Sequence, residues 1–241
     1  MNWIKPDWPL PAGVKAAVTL RTGGVSSAAY ASLNPAAHVA DQPEAVSANR
    51  AIIKQMLGLP AEPVWLQQVH GTDVVRADQV VDVPEADASF TDQAGVVCAV
   101  LTADCLPVLF CGDDGRVLAA AHAGWRGLHA GVLDQTVNSM ACRQISVFLG
   151  PAIGPDDFEV GDEVREAFVS RASHNAAAFV RQASGTWLAD IYQLARINLQ
   201  ALGIEQIYGG GWSTVAEPQR FYSYRRDGAA TGRMASLIWR D

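Results

Sequence analysis

Three side chains in this sequence have the types and settings to do chemistry together. His70 stands in Gln67-Gln68-Val69-His70-Gly71, Cys105 in Thr102-Ala103-Asp104-Cys105-Leu106-Pro107, and His122 in Ala120-Ala121-His122-Ala123-Gly124-Trp125-Arg126-Gly127. Each is a polar point at a strand end in an apolar context, so the three can converge at one rim of a sheet. Two imidazoles and one thiolate suit zinc, a borderline-soft ion that accepts both nitrogen and sulfur. Three protein ligands leave a fourth position for water or substrate, which is the catalytic pattern rather than the structural one. The same residues admit two other readings. Cys105 can be the nucleophile of a hydrolase with His122 or His70 as its base, or zinc can staple a structural or partner-binding module. A thiolate held tightly by zinc is not free to attack, so the first two readings exclude one another. Asp104 is the nearest carboxylate in sequence and the candidate proton carrier; its bland alternative is a turn or cap residue.

The elements that must position these residues belong to a chain of 241 residues with 18 basic and 25 acidic side chains, a net charge of −7. An apolar fraction of 49% is too high for a disordered chain and leaves ample material for a core. An acidic chain without a basic block lacks the charge for sequence-independent nucleic-acid binding. No apolar run reaches membrane-span length, and prolines and Asp7 interrupt the first ten residues, so neither a membrane span nor a secretory leader is expected. Four cysteines in a chain of this size make no disulfide framework. Cys98, Cys111 and Cys142 read as inert packed thiols, His38, His129 and His174 as structural, and the compartment as cytoplasmic. No protein partner is predicted.

Apolar patterning predicts strands at 14–20, 63–69, 96–101, 107–111, 117–121, 145–149 and 204–208, with residues 73–76 extending the sheet. Gly112-Asp113-Asp114-Gly115 reads as a hairpin turn. Helices are expected at 44–57, closed by Gly58, and at 128–142, 163–171 and 190–202. Residues 21–27 form a glycine-rich loop, 150–155 a stiff loop, and the segment after Gly209-Gly210-Gly211 an irregular basic and aromatic tail. Strands and helices mix without strict alternation. The expectation is one α+β domain over residues 1–241, with a mixed sheet flanked by helices.

Familiar nucleotide-binding, zinc-protease and serine-hydrolase fingerprints are absent. What is present, in order, is Val69-His70-Gly71-Thr72, Asp104-Cys105-Leu106-Pro107-Val108, His122-Ala123-Gly124-Trp125-Arg126-Gly127, and Phe221-Tyr222-Ser223-Tyr224-Arg225-Arg226-Asp227-Gly228 with Thr231-Gly232-Arg233. Upstream stand Arg21-Thr22-Gly23-Gly24-Val25-Ser26, Ser32-Leu33-Asn34 and Asn49-Arg50. This set resembles the YfiH-type family, also called the laccase-domain or polyphenol-oxidase family, over nearly the whole chain. The resemblance implies zinc on His70, Cys105 and His122. It implies an α+β fold related to a toxin-like Cys-His hydrolase. It also implies phosphorolysis of adenosine, inosine and methylthioadenosine, with adenosine deamination as a second activity. Purine nucleosides and phosphate are then the partners. Phosphate needs cations or amides, for which Arg21, Arg50, Arg126 and Arg225 and the amides of Gly23 and Gly24 are candidates; Asn34 joins the substrate-binding set through its motif. Trp125 is a candidate to stack on a base. The sequence departs from the family at Ser213-Thr214, where members often carry Cys-Thr.

A literal laccase does not fit these residues. Multicopper clusters draw on many imidazoles, mostly in His-x-His pairs, and this chain has five histidines and no such pair. A single blue-copper centre uses the right ligand types at a spacing not found here. Copper is expected only as a substitute for zinc.

Overall fold

The computed structural model describes residues 2–241. Its centre is two sheets packed face to face. One has four strands in the order β1 (Trp3–Ile4), β2 (Val14–Thr19), β13 (Met234–Arg240), β5 (Val97–Thr102), all antiparallel. The other has six in the order β12 (Ile207–Gly209), β8 (Ile145–Leu149), β6 (Leu106–Gly112), β7 (Leu118–Ala123), β4 (Ala88–Thr91), β3 (Val74–Arg76). Its edge pairs β12–β8 and β3–β4 are parallel and its inner pairs antiparallel. A small separate sheet of β10 (Phe179–Arg181), β11 (Trp187–Ala189) and β9 (Glu159–Val160) packs Phe179, Ala189 and Val160 into the core on the helical side of the six-stranded sheet.

The apolar residues fall into layers because side chains alternate across each strand. In β5, Val97, Ala99 and Leu101 pack with Leu33, Ile53 and Trp65 on one side of the four-stranded sheet. Cys98 and Val100 face the other way, towards Leu109, Cys111, Leu118 and Phe148 of the six-stranded sheet. In β6, Leu106, Val108 and Phe110 point away from that interface, to the outer helices. The result is helix, sheet, sheet, helix. Helix α1 (Pro43–Leu57) covers the outer face of the four-stranded sheet, and α2 (Trp125–Ala130), α3 (Val132–Met140), α4 (Asp162–Arg171) and α5 (Ile191–Ala201) lie on the side of the six-stranded one. A short helix α6 (Tyr224–Asp227) completes the set. Strands buried on both faces read as unbroken apolar runs, which is why β5, β6 and β7 were visible without alternation.

The α+β class and the turn at 112–115 agree with the sequence reading; Gly112 N–H donates to Val117 O and Gly115 N–H to Gly112 O, both at 2.8 Å. Three expectations are corrected. Residues 63–69 are not a strand. They make only single bridges, Val64 with Cys98 and Gln67 with Glu85, and then turn away. The helix expected over 128–142 is two helices, because Gly131 adopts φ +103 and ends the first. The tail is not irregular throughout. Its last segment, β13, lies between β2 and β5 in the four-stranded sheet. The run Met-Ala-Ser-Leu-Ile-Trp hides its period because small and polar residues share it with large ones.

Ile238 on β13 is fully buried between the sheets, opposite Ala16 and Cys98. Truncating it to alanine is expected to cost about 2–5 kcal/mol, read as a lower urea midpoint at unchanged slope. A loss below 1 kcal/mol would show that Ile238 is not tightly packed between the sheets.

Candidate metal centre

The turn from β5 to β6, the end of β7 and the loop after residue 66 meet at one end of the two-sheet sandwich. There His70, Cys105 and His122 come together, their donor atoms all within 4.8 Å of one another. The Cys105 Sγ lies 3.8 Å from His70 Nε2. The two imidazoles meet edge to face, with centroids 4.8 Å apart. His122 is buried, Cys105 half-buried and His70 exposed, so the cluster opens outward. Gly124 leaves room for it: a Cβ there would stand 2.9 Å from His70 Cδ2 and 3.1 Å from Cys105 Sγ.

Asp87, which sequence reasoning missed, holds two of the three in place. Its carboxylate accepts from His122 Nδ1 at 2.7 Å. It also accepts the backbone N–H groups of Val69 at 3.2 Å, His70 at 3.0 Å and Gly71 at 2.6 Å. It is completely buried. Burial alone would push the Asp87 carboxyl up, but the His122 bond and the amides of Gly71 and Val69 outweigh it and hold the group below its ordinary value. With Nδ1 so committed, His122 presents Nε2 to the cluster, the arrangement that fixes the tautomer of a metal-bound histidine. The only sequence signal for Asp87 was a carboxylate between two alanines, two residues after Glu85 and just before β4.

Two non-glycine residues with positive φ flank the centre, His70 at +62 and Asp104 at +86. Such backbone persists where surrounding bonds over-determine it. Asp87 does this for His70. For Asp104 the bonds come from its own carboxylate, which accepts the hydroxyls of Thr214 at 2.5 Å and Ser223 at 3.0 Å and the N–H of Arg225 at 2.6 Å. Both of its oxygens are occupied, and it anchors residues 214–225 beside Cys105.

The thiols divide sharply. Burial pushes Cys98 and Cys111 up to about 12, so both stay protonated and inert. Burial would raise Cys105 as well, but His122 and His70 beside it bring it down to about 6. His122 is in turn raised to about 9: burial disfavours its charge, and Cys105 and Asp87 more than restore it. The donor chemistry fits a metal. Tetrahedral zinc with nitrogen and thiolate ligands spaces its donors by roughly 3.3–3.6 Å, a small closure from the separations here.

A cavity of about 490 Å³ opens over the cluster, lined also by His38, Gln68, Trp125, Phe158, Tyr224 and Arg233. This lies in the range of small-molecule sites. Of the candidate substrate residues, Arg126 and Arg225 line it. Arg126 is exposed, its guanidinium 4.5 Å from the Trp125 ring. The Arg225 guanidinium donates to Asp157 O at 3.2 Å and Glu159 O at 3.1 Å. Arg21, Asn34 and Arg50 are not in its wall. Arg21 donates to Ala31 O and Pro218 O and lies over Tyr222. Asn34 bonds Asp41, Ala36 and the Arg233 N–H. Arg50 donates to Pro35 O and lies over Trp65. The Gly24 amide is taken by Ser32 Oγ. These residues knit the N-terminal loops together. His38, read from sequence as structural, instead lines the cavity. Ser213 donates to Asp157 at 2.5 Å, a surface tie beside the anchored segment.

No helix among the described residues is long and apolar enough to cross a membrane. A family model described as multi-copper polyphenol oxidoreductase laccase matches residues 15–241. The chain is 53% identical over 240 residues to purine nucleoside phosphorylase PA4543 of Pseudomonas aeruginosa, covering 98% of each. It is 53% identical over 239 residues to purine nucleoside phosphorylase YfiH of Escherichia coli, again 98% of each. The crystal structure of Neisseria meningitidis protein NMB0706 matches with a TM-score of 0.96 at 52% identity over 100% of both chains. YlmD from Geobacillus stearothermophilus matches at 0.92 and 32%, over 100% of this chain and 96% of that one. With its His-Cys-His cluster at the rim of a two-sheet core, the chain belongs to the YfiH-type family of laccase-like proteins.

Proposed function

We propose that the protein is a zinc-dependent purine nucleoside phosphorylase acting on adenosine, inosine and methylthioadenosine, with adenosine deamination as a second activity. The observation that carries the reading is the convergence of His70, Cys105 and His122 in the wall of a cavity large enough for a nucleoside. The names of the 53%-identical relatives support it. Zinc held by these three residues would supply electrophilic polarisation of the group facing it. The protein's own residues do the rest. Trp125 and Phe158 offer flat apolar surface to a purine, and Arg126 brings an exposed cation to the same wall. Asp104 acts as a positioning residue, since its oxygens are spent on the segment that carries Tyr224 and Arg225. In phosphorolysis an oxygen of hydrogenphosphate bonds to C1′ of the ribose as the C1′–N9 bond breaks. The proton on the attacking oxygen ends on the departing purine, so the charges balance. Free thiols are compatible with a reducing compartment, and we assign the protein to the cytoplasm.

One observation favours a second reading, a cysteine hydrolase acting on a cell-wall precursor. The Cys105 thiol beside two imidazoles is set up as a nucleophile whenever metal is absent. Incubation of metal-replete protein with adenosine and phosphate separates the two. Adenine and ribose 1-phosphate, with some inosine, are expected; absence of all three would overturn the phosphorylase reading.

A further inference from the structure

Arg233 lines the cavity, yet nothing described so far occupies its charge. Its backbone N–H donates to Asn34 Oδ1, which sets the position of the residue just before β13. Nη1 donates to Thr231 O at 2.9 Å and to Gly232 O at 3.0 Å, which sets the direction of the side chain. Nε and Nη2 have no protein acceptor among the described residues, and neither is sealed from solvent. Among the described residues no carboxylate lies within ion-pair distance of the guanidinium. A guanidinium cannot shed its proton to escape this, and a half-buried cation without a counter-charge is costly. The anionic groups facing it are Cys105 and Asp104. The first is matched by two imidazoles, the second by three hydrogen bonds.

His38 shares this cavity, and its ring nitrogens make no hydrogen bond to the protein among the described residues. Burial, with the Arg233 and Arg50 guanidinium groups facing it, keeps His38 below its ordinary value. It therefore presents a neutral ring that can donate from one nitrogen.

We propose that Arg233 and His38 form the seat of an inorganic phosphate ion in the cavity of the metal centre. The Nε and Nη2 edge of Arg233 is a fork that matches two phosphate oxygens, and His38 donates to a third. The other arginines are less suited. Arg225 has spent its guanidinium on backbone carbonyls, Arg21 and Arg50 lie outside the wall, and Arg126 is unanchored. Arg233 alone among the wall's arginines is both held in place and left with a free edge, so the seat is formed before its ligand arrives. The identity of the anion rests on the phosphorylase reading; the seat itself rests on the side chains.

The test is calorimetric titration of the metal-loaded protein with inorganic phosphate, followed by steady-state kinetics. Arg233→Gln is expected to weaken phosphate binding about 10–100-fold and to raise KM for phosphate, with KM for nucleoside and metal content unchanged. Arg233→Lys should recover only part of this, because an ammonium lacks the fork. His38→Gln removes no bond within the protein and is expected to weaken phosphate by about 3–10-fold, which keeps the test open should Arg233 variants fold poorly. Unchanged phosphate affinity in both Arg233→Gln and His38→Gln overturns the seat, as does a loss seen only in Arg126→Gln. If the wild type binds no phosphate, the seat is wrong. If it binds phosphate through Arg233 and turns over no nucleoside, the phosphorylase reading fails and the seat stands.

Discussion

Cys105→Ala is expected to lose its metal and its turnover while keeping its fold. The thiol is half-buried and its side-chain contacts are the two imidazoles, His70 and His122, so little core packing goes with it. Two imidazoles remain, too few for a tight site. Metal content should fall from about one per chain to near zero. Phosphorolysis should fall by about three orders of magnitude or more, the scale of losing a metal's charge stabilisation. Stability should be compared with metal-stripped wild type, since bound metal stabilises by mass action. On that footing the midpoint should move by no more than about 2 °C. An unfolded variant would instead support a structural metal in a binding module. Alkylation adds a second readout. Stoichiometric metal should protect Cys105 from iodoacetamide, while Cys98 and Cys111 stay unreactive in either form because they are fully buried. Rapid alkylation of the metal-loaded enzyme, with loss of activity, would favour the hydrolase.

Asp87→Ala is expected to show the largest loss of stability of any single change at the site. It removes the one acceptor shared by the buried His122 Nδ1 and three backbone N–H groups. Removing one side of a buried charged network costs about 3–5 kcal/mol. Asp87→Asn keeps one acceptor oxygen and should cost less, about 1–3 kcal/mol. Its clearer effect is on the metal, with affinity about 10–100-fold weaker as the histidine loses its orienting partner. Urea unfolding of the metal-free variants and chelator competition on the loaded ones measure the two effects separately. Asp87→Asn with wild-type metal affinity would show that the carboxylate serves the fold alone.

The centre was legible where chemistry is carried by residue type. Two histidines and a cysteine beside apolar runs pointed to the cluster, and β5, β6 and β7 were clear because strands buried on both faces leave continuous apolar text. Asp87 was not legible, since one carboxylate among alanines looks like any turn residue until its four donors are seen around it. His70 was placed at a strand end, but it sits in a loop with φ +62 that Asp87 imposes from a strand well separated in sequence. Arg21, Asn34 and Arg50 stand in conspicuous motifs, yet they are engaged outside the cavity, Arg50 with Pro35 and Trp65, and Arg21 and Asn34 with partners in both the N-terminal loops and the C-terminal segment. An arginine's task is set by which of its N–H groups remain unspent, and spacing does not reveal that.

The position of β13 has a kinetic consequence. β2 and β5 do not pair with each other; residues 234–240 lie between them and bond to both. The four-stranded sheet therefore closes only by loops that span most of the polypeptide, and such long-range closure is slow. During synthesis β2 and β5 must wait, with the strand edges that face each other unpaired, until the residues of β13 have emerged. Thr102, at the end of β5, pairs with Met234 and leads directly into the Cys105 turn. Metal capture should thus be among the last events of biogenesis, and a nascent chain stalled before β13 should bind chaperone rather than metal.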